Sequence, residues 1–199
     1  MRPVSPAITS PHGRRGLGPW FEVNNANRAR LPKPWQPWLM DDSSLTAKLR
    51  RKSAGDFNVE ILGQYPGRPN LSEAHRLGIS PRLVCIIREV LLKGRGGAPW
   101  VFARSVFPIH SLTGKLRHLA RLDNRPLGAY LFSHSTLTRS AIEVAPIAPD
   151  GAMVPKSVQN SNILWGRRSI FYLHNKPLLV NEIFLPALLE ADTYEQNHN

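Results

Sequence analysis

The sequence predicts a single α+β domain of several antiparallel strands and a few short helices. Three observations carry this. Leu83–Lys93 with Pro99–Phe107, and Ile163–His174 with Pro177–Leu185, are apolar, β-branched runs broken by turn signals, the pattern of two long hairpins. Around them lie short stretches with helical spacing and helix-start residues. The length of 199 residues, 42% of them hydrophobic, suits one core and leaves two full domains cramped.

The elements follow in order. Residues 1–34 are expected to form a flexible basic arm: Pro3, Pro6, Pro11 and Pro19 break helices, and Gly13, Gly16 and Gly18 add entropy to any fold. Arg14-Arg15 is followed by no apolar region of the kind a twin-arginine signal carries, and the prolines oppose the amphipathic helix of a transit peptide. Trp35, Trp38 and Leu39 open the ordered part, and Asp41-Asp42-Ser43-Ser44 starts a helix that runs over Leu45–Lys52. Asp56–Leu62 alternates loosely and reads as a strand; residues 64–80 read as loop, with one turn around Ser72–His75. The first hairpin turns at Gly94-Arg95-Gly96-Gly97. Leu112, Leu116, Leu119 and Leu122 then follow helical spacing, and Pro126 opens a short helix through Phe132. Leu137–Val144 reads as a strand, and residues 145–162, rich in Pro, Gly, Asn and Ser, as an inserted surface loop. The second hairpin turns at Asn175-Lys176, and residues 189–199 form a polar, acidic tail.

Lys and Arg number 26 against 14 Asp and Glu, a net charge of +12. Such a surplus favours polyanions, anionic membranes or small anionic ligands. No helix-turn-helix, zinc-finger or RNP pattern accompanies it, so no specific nucleic-acid partner is expected. The longest strictly apolar run, Leu83-Val84-Cys85-Ile86-Ile87, is far too short for a transmembrane span. A single cysteine, Cys85, excludes an internal disulfide and a Cys-rich metal site, and a reducing, cytoplasmic compartment fits.

Most catalytic signatures are missing. The histidines are scattered without metal-ligand spacing, Ser133-His134-Ser135 lacks the context of a hydrolase nucleophile, and no glycine-rich phosphate loop precedes a helix. Cys85, mid-strand among aliphatics, reads as a core residue. Two interruptions stand out instead. Arg88 and Glu89 break one apolar strand, and Glu182 breaks another; neighbours on a strand point to opposite faces, so one of Arg88 and Glu89 faces inward. A buried guanidinium keeps its charge and needs an anion. Arg88 and Glu182 read either as a structural ion pair or edge residues facing water, or as parts of a pocket. The helix starts at Ser43-Ser44-Leu45-Thr46 and Pro126-Leu127-Gly128 each offer unpaired N–H groups that favour an anion. An inward Arg, two such starts and an inward Glu suit a small hydroxylated carboxylic acid.

From Leu83 onward the chain resembles the chorismate lyase family. The stretches that carry the resemblance are Ile87-Arg88-Glu89-Val90-Leu91-Leu92, Pro99-Trp100, Arg125-Pro126-Leu127-Gly128, Tyr130-Leu131-Phe132, Ser135-Thr136-Leu137-Thr138-Arg139 and Ile142-Glu143. Leu164-Trp165-Gly166-Arg167-Arg168-Ser169, Lys176-Pro177-Leu178-Leu179, Asn181-Glu182 and Phe184-Leu185-Pro186 follow in the family's order, and coverage runs from about Trp35 to Pro186. The resemblance implies a lyase domain over 35–188, with an antiparallel sheet and short helices packed on one face. It implies conversion of chorismate into pyruvate and 4-hydroxybenzoate for ubiquinone biosynthesis, with no metal or organic cofactor. The family's ligand-binding arginine falls on Arg88 and its hydroxyl-binding glutamate on Glu182, the two catalytic positions; its backbone contacts fall on Leu45 and Leu127. Helical flaps in the family bury the product, which implies slow release. Arg167 or Arg168 is expected to hold the enolpyruvyl carboxylate, and strand alternation lets only one face inward; Arg168 is the one expected to bind. A monomer is expected. The alternative is a non-catalytic sensor: effector-binding domains of some transcription regulators share this fold, but they normally follow a winged-helix domain, for which 34 residues are too few.

Overall fold

The computed structural model describes residues 20–24, 26–148, 153–159 and 162–196. Its strands are β1 (Phe21–Glu22), β2 (Asn58–Gly67), β3 (Cys85–Lys93), β4 (Pro99–Pro108), β5 (Thr138–Arg139), β6 (Glu143–Ile147), β7 (Leu164–Leu173) and β8 (Lys176–Phe184). They form one antiparallel sheet in the order β1-β6-β7-β8-β4-β3-β2, with β5 also pairing to β7. The helices are α1 (Gln36–Leu39), α2 (Leu45–Ser53), α3 (Leu71–Leu77), α4 (Leu127–Phe132) and α5 (Pro186–Gln196).

Both hairpins form where turn chemistry allows. His174 and Asn175 take φ of 52° and 60°, the two-residue left-handed geometry that matches strand twist; the turn sits one residue earlier than the sequence suggests. After β3, Gly94 lies beneath the Trp100 indole, where an added Cβ would fall 2.1 Å from the ring. Only glycine lets that indole cover the turn.

The core has two sides. On one face Val90, Leu92, Val101 and Ala103 pack under Trp35, Trp38, Leu45 and Leu49 from α1, α2 and the segment before them. On the same face Phe107, Phe171 and Val180 pack under α4 and the 3-10 helix Gly114–Arg121. The leucine spacing predicts an α-helix there; the three-residue steps Leu116-Leu119-Leu122 line up on one edge of the tighter coil instead. The opposite face is covered by α3, through Leu77, and by Met153 and Val154. Among the described residues most short helices therefore lie over one face, with α3 and the 3-10 turn Lys156–Val158 on the other.

Several expected boundaries move. Residues 1–19 and 25 of the arm lie outside the described residues, but 20–24 and 26–34 pack with the domain: Phe21 and Glu22 pair with β6 and Leu31 is buried in the core. The expected loop at 64–80 contains the end of β2 and all of α3. Asn70 and Glu73 cap α3 reciprocally, an N-x-x-E signature of a helix start. The strand expected over 137–144 is two strands, β5 and β6. The stretch 145–162 begins as strand and buries Met153 and Val154 before a 3-10 turn at Lys156–Val158. The C-terminal tail begins as α5, whose Leu188 is buried in the core.

Candidate active site

Alternation along four adjacent strands brings Arg88 (β3), Ser105 (β4), Glu182 (β8) and Arg167 (β7) to one face. Between them and the first turns of α2 and α4 lies a concave, mostly apolar cavity into which Arg88, Arg139, Arg167 and Glu182 project. Leu45 and Leu127 line it as the first residues of their helices, where backbone N–H groups have no partner within the helix. The Ser44 hydroxyl oxygen caps α2 by accepting from the Ala47 N–H at 3.4 Å, whereas Pro126 gives α4 no side-chain cap. The two helix starts touch because Gly128 has no side chain: an added Cβ would fall 2.7 Å from Thr46 Oγ1.

Arg88 is 2% exposed. Its Nη1 donates to Gln64 Oε1 at 2.7 Å, and its Nη2 donates to the carbonyls of Asp123 and Arg125 at 2.7 and 3.3 Å. Burial pulls its pKa below the ordinary arginine value, and the Asp123 carboxylate opposes that. Gln64 reaches Arg88 because of a bulge in β2. Ile61 pairs with Val90 and Gly63 with Glu89, so the extra residue Leu62 turns outward and Gln64 falls opposite Arg88. The bulge also breaks the two-residue period, which is why the sequence reading ends this strand too soon.

Glu182 accepts from Arg167 Nε at 2.5 Å. Arg167 Nη1 donates to the Trp38 carbonyl at 2.8 Å and also to the Asp41 carbonyl, so this one guanidinium ties Glu182 to the segment that leads into α2. The simple ion pair between Arg88 and Glu182 is not the arrangement found. They stand two strands and two residues apart in register, since Arg88 aligns with Ser105 and Val180 and Glu182 with Ala103 and Val90. That is about 12 Å between Cα atoms at ordinary sheet spacing, which sets an arginine and a glutamate at opposite ends of a ring-sized space.

Arg168 corrects an expectation. It does not line the cavity: alternation on β7 sends it to the opposite face, where its Nε donates to Glu143 at 2.6 Å and its Nη1 to Ser72 Oγ at 2.8 Å. The arginine of the pair that faces the cavity is Arg167. Cys85 lies on the opposite face too, buried, its thiol pushed up to about 11 by burial and by the Glu73 charge. A further cavity residue, Arg139, lies in a stretch that carries the family resemblance, but sequence pattern assigns it no role; it sits on the two-residue strand β5, too short for any period to show.

Comparisons with known proteins place the chain in a family. The profile of the family described as "Chorismate lyase" matches residues 20–194. A "Probable chorismate pyruvate-lyase" of Chromohalobacter salexigens is 40% identical, over 90% of this chain and 94% of that protein. Another so named, from Aromatoleum aromaticum, is 37% identical over 83% of this chain and 92% of that protein. Among solved structures, the C-terminal domain of the histidine utilization repressor from Pseudomonas syringae pv. tomato aligns with a TM-score of 0.52 at 12% identity, over 66% of this chain and 92% of that one. The effector domain of PhnF from Mycobacterium smegmatis aligns with a TM-score of 0.51 at 13% identity, over 73% and 90%. Those two likenesses are of fold. The family match and the relatives go further and define an enzyme of the carbon–oxygen lyase class. This chain belongs to the chorismate lyase family.

Proposed function

We propose that the protein eliminates pyruvate from chorismate and leaves 4-hydroxybenzoate, as a cytoplasmic monomer supplying ubiquinone biosynthesis without a metal or organic cofactor or a specific nucleic-acid partner. The observation that carries this reading is the polarity of one cavity: Arg88 with two helix starts at one end, Glu182 held by Arg167 at the other, and mostly apolar lining between.

Chorismate has a ring carboxylate, a ring hydroxyl para to it, and an enolpyruvyl ether on the carbon beside the hydroxyl. In the proposed step the hydrogen on the hydroxyl-bearing carbon passes to the enolpyruvyl methylene through a six-atom cyclic array. The ring C–O bond breaks, a ring C=C bond forms, and the side chain leaves as pyruvate. The ring becomes aromatic, so the driving force lies in the substrate. The protein holds the reactive conformer and matches charge without supplying a nucleophile. Arg88 and the N–H groups of Leu45 and Leu127 hold the ring carboxylate. Glu182, fixed by Arg167, accepts a hydrogen bond from the ring hydroxyl.

Incubation with chorismate and a chelator tests this. Equimolar pyruvate and 4-hydroxybenzoate above the spontaneous rate are expected. Tight 4-hydroxybenzoate binding without turnover would make the protein a sensor that uses the same pocket, and the absence of both turnover and binding would overturn the assignment of the cavity.

A further inference from the structure

Of the three arginines that line the cavity, two are accounted for: Arg88 at the far end, and Arg167, committed to Glu182 and to two carbonyls of the covering segment. The third, Arg139, is tied down at one nitrogen. Its Nη1 donates to the Asp42 carbonyl at 3.0 Å, its guanidinium carbon lies 4.9 Å from the centre of the Phe171 ring, and its Nε is buried with no hydrogen-bond partner. A buried N–H of a cation left unpaired is unfavourable, and the natural partner is an anion.

Charge points the same way. The ionisable lining is three arginines and Glu182, a surplus of two positive charges. Burial first, and then the neighbouring Arg167 cation, pull the Arg139 pKa down, while Glu182, Asp42 and Asp41 oppose them. A dianion cancels the surplus; a monoanion cancels half of it.

Position narrows the ligand. Arg139 pairs with Phe171, four residues along β7 from Arg167, but its guanidinium reaches to the Asp42 carbonyl, next to the Asp41 carbonyl that Arg167 holds, and so sits within the field of Arg167 and Glu182. In a substrate whose ether carbon adjoins the hydroxyl carbon, the side-chain carboxylate falls at the end where Glu182 meets the hydroxyl. We propose that Arg139 binds this second carboxylate, and so distinguishes the dicarboxylate substrate from the monocarboxylate ring product. The proposal rests on the chorismate reading above; within it, Arg167 is a positioning residue and Arg139 the ligand.

Two variants test it, Arg139→Gln and Arg139→Lys, with KM for chorismate set beside the inhibition constant of 4-hydroxybenzoate and a melting curve for each protein. Arg139→Gln is expected to raise the chorismate constant about ten- to hundred-fold, one charged hydrogen-bonding contact, and to leave 4-hydroxybenzoate within about twofold. Arg139→Lys, which keeps the charge without the planar fork, is expected between the two. Equal weakening of both ligands would overturn the proposal and reduce Arg139 to a prop for Asp42, and so would no change in either. If the wild-type protein fails to turn over chorismate, the functional reading falls. Chorismate and 4-hydroxybenzoate dissociation constants by calorimetry then still decide Arg139 by the same ratio.

Discussion

The two faces of the sheet use the same residue types to different ends. Beneath α3, Arg76, Arg104 and Arg168 meet Glu73, Glu89 and Glu143 in ion pairs of 2.6 to 3.3 Å, three cations with three anions. On the cavity face three arginines meet one glutamate. Arg88 and Glu89 are neighbours, as are Arg167 and Arg168, so a single step along a strand separates a charge that closes the network beneath α3 from one that faces the cavity. One face closes its charges within the fold; the other keeps a surplus of two positive charges around the cavity.

The largest expected effect is on the balanced face. Glu73 is fully buried, accepts from Arg104 at 2.9 Å and from Asn181 at 3.1 Å, and caps the Asn70 N–H at 2.9 Å. Glu73→Ala leaves Arg104 to Glu89 alone and takes the acceptor from the Asn181 amide and the Asn70 N–H, and is expected to lose about 3 kcal/mol of stability in denaturant unfolding. At temperatures where the variant is folded, its affinity for 4-hydroxybenzoate should match wild type; a large loss of affinity would mean that the faces are not separable. Arg88→Ala is the converse. It should weaken 4-hydroxybenzoate about ten- to hundred-fold, a charged hydrogen bond of roughly 1.5–3 kcal/mol, with a smaller change in stability than Glu73→Ala. Unaltered binding would remove Arg88 from the site.

Gly128→Ala sharpens the comparison by changing shape without charge. Its new methyl would collide with Thr46 Oγ1 and part the two helix starts, at a cost of about 1–3 kcal/mol that should appear in ligand binding. Thr46→Ala in the same protein should restore much of it, and no restoration would place the strain elsewhere. The smallest effect concerns Asp41. Burial alone would raise its carboxyl, but hydrogen bonds from Lys48 and Ser43 outweigh burial and hold it well below the usual carboxylate range. Its folded pKa lies below its unfolded one, so the stabilisation is complete above about pH 4 and fades as pH falls below that. Asp41→Asn is expected to lose about 1 kcal/mol at neutral pH, and the gap from wild type should narrow in acid. A gap independent of pH would show that charge is not the cause.

The hairpins and the polar breaks at Arg88 and Glu182 were legible because period-two runs make an inward charge conspicuous. What stayed hidden was set by register. Gln64 comes to Arg88 through a bulge that pattern cannot locate. Alternation says that Arg167 and Arg168 diverge, but not which one meets the helices. Arg139 sits in two residues of strand, where no period exists. Glu73 was readable in principle from Asn70 three residues before it, and the proline and glycines nearby drew the reading toward a loop instead.

The Arg167 guanidinium reaches three acceptors: the Glu182 carboxylate and the carbonyls of Trp38 and Asp41. Lifting the cover over the cavity therefore unlatches the side chain that aims the glutamate. Cover and alignment share one fastener: the Trp38–Asp41 segment cannot shift without loosening the side chain that holds the glutamate, and Glu182 cannot turn without loosening the segment.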